Sequence, residues 1–428
     1  MKAVFLAIGM ALMGAPAVAA SEATDPARSV REIADVIEES FFDAGVGRDV
    51  AAGLRSDAAA GTFSSYSDEA LAKELTSRLK KVDGHFRVGA PVAAGAQANP
   101  SPSIEYEDQV RRINFGFRSV EILPGNVGYI DLRFFADFDS VDALERLAAD
   151  AALQMIAHTD AVIIDLRDNG GGSPPMAAYL ASAFLPPHSR AYMAEHYRSG
   201  EVISQTPETP VDPERRRLNT PLIVMISARS ASAAEALAYT LQSVQRAVVV
   251  GQPSMGAASM ARPVATPSGF VVFAPYASTL SPLTNANWEG TGVIPDVAGP
   301  VADAKNHAHQ MALRMATERL TRAAMITENR WILEALEKPA AEVALDDYAG
   351  LYGEVAVSVS GAGLSYRQGA RPPLMLQPLE TDLFTVVDEP TQRVRFKRDG
   401  SGRVSGLNRL WSEGTVEPTL AREVAPVH

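Results

Sequence analysis

The 428-residue sequence predicts an α/β chain of several domains: an N-terminal helical bundle, a central and mainly parallel β-sheet covered by helices, and a small antiparallel β domain at the end. Three observations predict it. Apolar residues recur at helical spacing before residue 90, strand and helix patterns alternate from Gly125 onwards, and short strands broken by Gly, Pro and Asp follow Leu345. The expected divisions are an export signal at 1–20, a helical domain at 21–90, the sheet domain at 105–300, a helical connector at 301–340 and the β domain at 341–428.

Lys2 gives a minimal positive start, Ala3 to Met13 is apolar but too short to span a bilayer, and Ala17-Val18-Ala19-Ala20 supplies the small residues that signal cleavage requires. The expected product is exported, periplasmic or secreted, with cleavage near residues 19–20 and no stable membrane anchor. With no cysteine, disulfides, thiol catalysis and thiolate metal sites are excluded. Val30, Ile33, Ile37 and Phe41, then Leu71, Leu75 and Leu79, follow helical periodicity, and 89–104 reads as an Ala-, Gly- and Pro-rich linker.

Val127 to Phe135 reads as a strand and Val141 to Ile156 as a helix. Ala161 to Arg167 reads as a buried strand entering Asp168-Asn169-Gly170-Gly171-Gly172, after which Pro174 and Pro175 open a helix over Met176 to Phe184. Residues Pro221 to Gly251 repeat the strand, helix, strand order, and Phe270 to Phe273 adds a strand. Alternation of this kind implies a mainly parallel sheet. Residues 303–337 return to helix.

A net charge of −12 argues against a nucleic-acid partner, because phosphate binding needs clustered Lys and Arg. An anionic membrane surface is disfavoured for the same reason.

The most informative stretch is Pro221 to Gly256. There an apolar strand meets an alanine-rich helix through Ser230-Ala231-Ser232-Ala233-Ala234-Glu235. A serine at such a junction can act as a nucleophile, with the N–H of Ala233 pointing at a developing oxyanion. Serine also caps ordinary helices, so Ser232 needs companions, and Ser230 and Ser227 are fallback nucleophiles. Glu235 is placed to cap the helix through the Ser232 N–H. Successive glycines after a strand let N–H groups converge on an anion, so Gly171, then Gly170, are the expected second oxyanion donors. Asp165, Arg167 and Asp168 read as a structural ion-pair group, and His158, His188, His196, His307 and His309 as structural histidines. His307 and His309 are two apart, a poor metal pair. No metal site and no cofactor are expected.

IIDLRDNGGG, SASAAEAL, VVVGQPSMG and EGTGVIPDV occur here in the order found in the tail-specific, or C-terminal-processing, serine proteases. The resemblance covers roughly residues 26–300 and implies the crotonase-like or ClpP-like sheet fold with Ser232 as nucleophile. One branch of that family places a lysine where Ala257 stands, and no lysine occurs from Val82 to Ala304. The chain therefore resembles the lysine-lacking branch, with the tricorn core protease and the bacterial relatives of interphotoreceptor retinoid-binding protein. By that resemblance, His85 in Asp83-Gly84-His85 is the base and Glu289 the acid that orients it. The residues between His85 and Val127 are too few for a PDZ module. Two functions stand at this stage: a serine peptidase acting on peptides or unfolded segments, or a retinoid- or fatty-acid-like binder on the same scaffold.

Overall fold

The computed structural model describes residues 25–91, 104–338, 340–387 and 389–423. The expected export signal and most of the expected linker lie outside them. The described residues fall into two compact units, one drawn from Met1–Val120, Ile130–Ala157 and Ile164–Ala304, the other from Glu121–Tyr129, His158–Ile163 and Lys305–His428.

Three helices open the chain: α1 (Pro26–Ser40), α2 (Ala44–Ala59) and α3 (Asp68–Leu79). Each start has a side-chain cap. Asp25 accepts from the Ala27 N–H with Pro26 following, Asp43 accepts from Gly45 and Val46, and Ser67 accepts from Ala70. The predicted stripe is real: Val30, Ile33, Ile37, Leu71 and Leu75 are fully buried. They bury against more than one another. The same core takes in Phe86, Val88, Phe270, Val272 and Ala274, which belong to β1 (Arg87–Gly89), its approach, and a strand nearly two hundred residues later. That shared core fixes the loop at residues 83–85.

Further along are α4 (Ile104–Arg112), β2 (Phe117–Leu123), β3 (Val127–Leu132), α5 (Leu144–Met155), β4 (Ala161–Asp165), α6 (Pro174–Ser182), β5 (Ala194–Tyr197) and β6 (Val202–Ser204). Then come β7 (Leu222–Ile226), α7 (Ala233–Ser243), β8 (Val248–Gly251), β9 (Ser259–Ala265), β10 (Val271–Leu280) and β11 (Val297–Ala298). A six-stranded sheet has the order β11-β8-β7-β4-β3-β2. Its β7–β8 and β8–β11 pairs are parallel, as the βαβ reading of 221–251 requires. Strands β3, β4 and β7 are buried along their whole length, which explains their mostly apolar sequences, with Asp131 in β3 and Asp165 at the end of β4 as buried exceptions.

A second, antiparallel sheet accompanies it, in the order β1-β10-β5-β6 with β9 also on β10. The parallel alternation did not predict this sheet. Its strand β10 extends past the expected Phe273 to Leu280, and β9 and β10 form a hairpin closed at Thr266–Phe270.

The other unit holds α8 (Ala304–Thr317), α9 (Ala323–Glu337) and an eight-stranded meander of consecutive antiparallel neighbours: β12 (Gly350–Tyr352), β13 (Val355–Ser360), β14 (Gly363–Gln368), β15 (Leu374–Glu380), β16 (Leu383–Val386), β17 (Gln392–Arg398), β18 (Val404–Trp411) and β19 (Leu420–Ala421). A bridge between Tyr352 and Arg422 joins the first strand to the residue after the last, so the sheet nearly closes on itself. Tyr348, Tyr352, Phe384 and Phe396 fill its interior.

Candidate active site

Ser232 lies where β7 has ended and α7 begins, with φ +55° and ψ −118°. A helix cap is ordinarily extended, and positive φ in a residue with a Cβ is sparsely populated. Something must hold it there, and Glu235 does. Its carboxylate is fully buried and accepts four hydrogen bonds: from the Ser232 N–H at 2.8 Å, the Ser254 hydroxyl at 2.5 Å, the Gly256 N–H at 2.7 Å and the Ala257 N–H at 2.9 Å. The expected cap is present, and it also fastens α7 to the turn after β8. At that turn, the position of the missing lysine gives its backbone N–H to Glu235.

The fallback serines are committed elsewhere. Ser230 is fully buried and donates to the Leu166 carbonyl at 2.7 Å, and the Ser227 hydroxyl donates to the Arg167 carbonyl.

The glycine loop after β4 comes directly against the serine. A Cβ on Gly171, whose φ is +104°, would stand 2.8 Å from the Ser232 Cβ and 2.8 Å from the Ala231 carbonyl oxygen. Only glycine permits that approach. Asn169, fully buried, shapes the loop: its side-chain amide donates to the Leu132 carbonyl at 3.0 Å, and its Oδ1 accepts the Gly171 N–H at 2.8 Å. Its own carbonyl accepts the Ala231 N–H at 3.1 Å. The Gly171 N–H is thus directed at Asn169, whereas those of Gly170 and Ala233 make no hydrogen bond among the described residues. Beside the loop, Asp165 pairs with Arg167 at 2.7 Å, and Asp168 lies between Arg133 and Arg229, a structural ion-pair group as expected.

His85 and Glu289 meet across 204 positions of sequence. The His85 Nδ1 is 3.7 Å from the Glu289 Oε2 and 3.2 Å from the Asp83 Oδ1, and Asp83 also accepts the His85 N–H at 2.9 Å. Asp83 joins this candidate site, a residue for which the sequence suggested no role. Its signal was in view as the first letter of Asp-Gly-His, two residues before the histidine. Glu289 accepts the N–H groups of Ala258 at 2.7 Å and Ser259 at 3.0 Å, the residues immediately after those held by Glu235. Its loop is locked against the same turn, where a Cβ on Gly292 (φ +75°) would stand 2.4 Å from the Ser254 carbonyl oxygen.

Burial by itself would favour a neutral His85 ring. The hydrogen bond to Asp83 and the charges of Asp83, Glu289 and Glu235 outweigh it and raise its pKa above the usual 6.5. Burial likewise opposes ionisation of Asp83, but hydrogen bonds from His85 hold its carboxyl below the ordinary range. The Ser232 hydroxyl and the His85 ring form no hydrogen bond with each other here.

Asp83, His85 and Glu289 bring ligand atoms within 4.8 Å of one another, close enough for a divalent cation. Both carboxylates already accept backbone N–H groups, a use that suits an oriented histidine better than a metal. His309 binds the Pro124 carbonyl through Nε2 at 2.8 Å, a structural role, and burial lowers its pKa.

No helix among the described residues is long and apolar enough to cross a membrane. The sequence profile of peptidase family S41 matches residues 126–298. A carboxyl-terminal-processing protease of Synechocystis sp. is 33% identical over 136 residues, 31% of this chain and 29% of that protein. Carboxyl-terminal-processing peptidase 1, chloroplastic, of Arabidopsis thaliana is 30% identical over 166 residues, 37% of this chain and 32% of that protein. The chain therefore matches less than a third of the length of each. A solved putative peptidase of Parabacteroides merdae is 19% identical with a TM-score of 0.47, covering 68% of this chain and 96% of that one. The segment that carries Ser232, Gly170, Gly171 and Glu289 is thus the part of the chain that matches peptidase family S41, the resemblance being to the tail-specific and carboxyl-terminal-processing proteases.

Proposed function

We propose that the chain is an exported serine-type peptidase of the lysine-lacking kind, cutting peptides or unfolded segments through an acyl-enzyme on Ser232. The observation that carries this reading is the conformation of Ser232, kept at positive φ by a buried four-fold acceptor, beside two uncommitted N–H groups. The Ser232 Oγ attacks the scissile carbonyl, and the His85 Nε2 takes the hydroxyl proton. The oxyanion is received by the Ala233 N–H at the start of α7 and by a second N–H of the glycine loop. Gly170 is free to donate as the loop stands, and Gly171 becomes a donor if it releases Asn169. His85 then protonates the leaving amine, the carbonyl re-forms, and water repeats the sequence to free the acid. Asp83 holds the Nδ1 of His85 and Glu289 adds the second negative charge, so the orienting role foreseen for Glu289 is shared. Closure of His85 onto Ser232 accompanies substrate binding, as catalytic hydrogen bonds are often long in empty sites.

A hydrophobic-ligand binder has less support, because a cleft of about 570 Å³ on the first unit is lined by three carboxylates that would repel a fatty acid. The test is labelling of the mature chain by a fluorophosphonate probe. Ser232→Ala is expected to abolish labelling and to reduce peptide hydrolysis by roughly 10⁴-fold or more. Equal labelling of parent and Ser232→Ala would refute the assignment.

A further inference from the structure

A cleft of about 570 Å³ opens on the first unit between the loop 138–141, the start of α6 at Pro174 and Pro175, and the segment 203–209. It begins two residues beyond Gly172 of the proposed oxyanion loop. One wall is β6, the terminal strand of the antiparallel sheet, exposed along its length. The β5–β6 ladder has hydrogen bonds from Tyr197 N–H to the Glu201 carbonyl and from Gln205 N–H to the Met193 carbonyl. Antiparallel alternation then leaves the N–H and C=O of Val202 and Ser204 facing away from β5. An open edge of this kind accepts an extended chain as a further strand.

The cleft also has a sign. Asp139, Glu195 and Glu208 line it, no Lys or Arg does, and none of the three has an ion-pair partner among the described residues. Among the described residues, Glu195 accepts only from the Tyr197 hydroxyl at 2.5 Å and the Gln205 side chain at 3.2 Å. Arg146, which donates to the Thr209 hydroxyl of the lining at 2.8 Å, is itself buried and lies 3.7 Å from Asp150. Exposed Val141 and Ile203, 51% and 44% accessible, add apolar surface between the acids.

Resting on the peptidase reading, we infer that this cleft takes the substrate as an added strand on β6 and selects peptides carrying a basic side chain flanked by apolar ones. The overall charge of −12 acts in the same direction, drawing cationic segments toward the molecule.

The test uses Ser232→Ala protein, which binds without turnover, and fluorescein-labelled decapeptides that differ only by one central Lys or Glu. The Lys peptide is expected to bind about tenfold more tightly at low salt, with the difference shrinking as salt rises. In Asp139→Asn/Glu208→Gln, two exposed positions, the preference should fall to about twofold or less. Backbone N-methylation of the Lys peptide should weaken binding to the Asp139 and Glu208 protein. Equal binding of the Lys and Glu peptides, or a preference unchanged in the double variant, overturns the inference. Fluorophosphonate labelling of the parent separates the two readings: a labelled parent with charge-blind binding refutes the cleft alone, and an unlabelled parent with Lys-selective binding refutes the peptidase alone.

Discussion

Glu235 and Glu289 hold neighbouring stretches of one segment and differ in what else they face. Glu235 accepts the N–H groups of Gly256 and Ala257, and Glu289 those of Ala258 and Ser259. Glu235 is sealed from solvent and its other two donors are the Ser232 N–H and the Ser254 hydroxyl, so both of its oxygens are fully engaged. The Glu289 side chain keeps 23% exposure and stands 3.7 Å from a histidine ring. Similar backbone anchoring therefore serves two ends. A carboxylate surrounded by donors is a structural tie, and one left with an open side toward an imidazole can tune a proton carrier.

Four substitutions would break or sharpen that comparison. The largest effect is expected for His85→Ala, with kcat/KM falling by roughly 10³- to 10⁴-fold and the thermal midpoint little changed. Steady-state kinetics beside a melting curve checks both. Glu235→Gln should act on stability first. The amide cannot accept all four bonds and turns N–H groups toward N–H donors, costing about 3 kcal/mol, or roughly 6–12 °C in melting temperature for a unit of this size. A Glu235→Gln protein that melts like the parent would contradict the tie.

Asp83→Asn and Glu289→Gln come next. Asp83 makes the shorter contact with Nδ1, so Asp83→Asn is expected to lose about tenfold more kcat than Glu289→Gln. The reverse order would return the orienting role to Glu289 alone. The smallest expected effect is on pH. The base must be neutral, and neighbouring carboxylates raise the His85 pKa, so the acidic limb of kcat/KM should lie above 6.5. Removing the Asp83 charge removes a raising influence, and the limb should move to lower pH. A limb that stays in place in Asp83→Asn would mean that the titrating group is not His85.

Much of the serine side was legible because it is local. An apolar strand, a small-residue turn, an alanine-rich helix and a Glu three residues after the serine are consecutive, and each has a backbone rule behind it. Glu235's cap was therefore visible, but its bonds to Ser254, Gly256 and Ala257 depend on how the turn after β8 folds back. The His85 side was legible only through motif resemblance. Asp83 looked like part of a turn, since nothing in Asp-Gly-His says that its carboxylate curls back onto Nδ1. The antiparallel sheet was hidden for a different reason. Strand β9 carries Arg262 and Pro263, β10 carries Pro275, and the β1–β10 pairing spans more than 180 positions of sequence, so neither period nor proximity announces it. The β domain, whose neighbours are all consecutive hairpins, was readable from its turns.

The tie at Glu235 also sets the point in assembly at which the geometry around Ser232 is complete. Its four donors come from the residue that opens α7 and from the turn after β8, where the Ser254 hydroxyl in turn accepts the Val293 N–H at 2.6 Å. A molecule that has formed β7 and α7 but has not yet docked residues 254–257 and 289–293 keeps the local bond from the Ser232 N–H to Glu235 but lacks the other three that fix this carboxylate in place. On the proposed reading, such a molecule carries Ser232 without the fixed geometry of a nucleophile. On the proposed peptidase reading, self-digestion during folding would be restrained by the order of assembly.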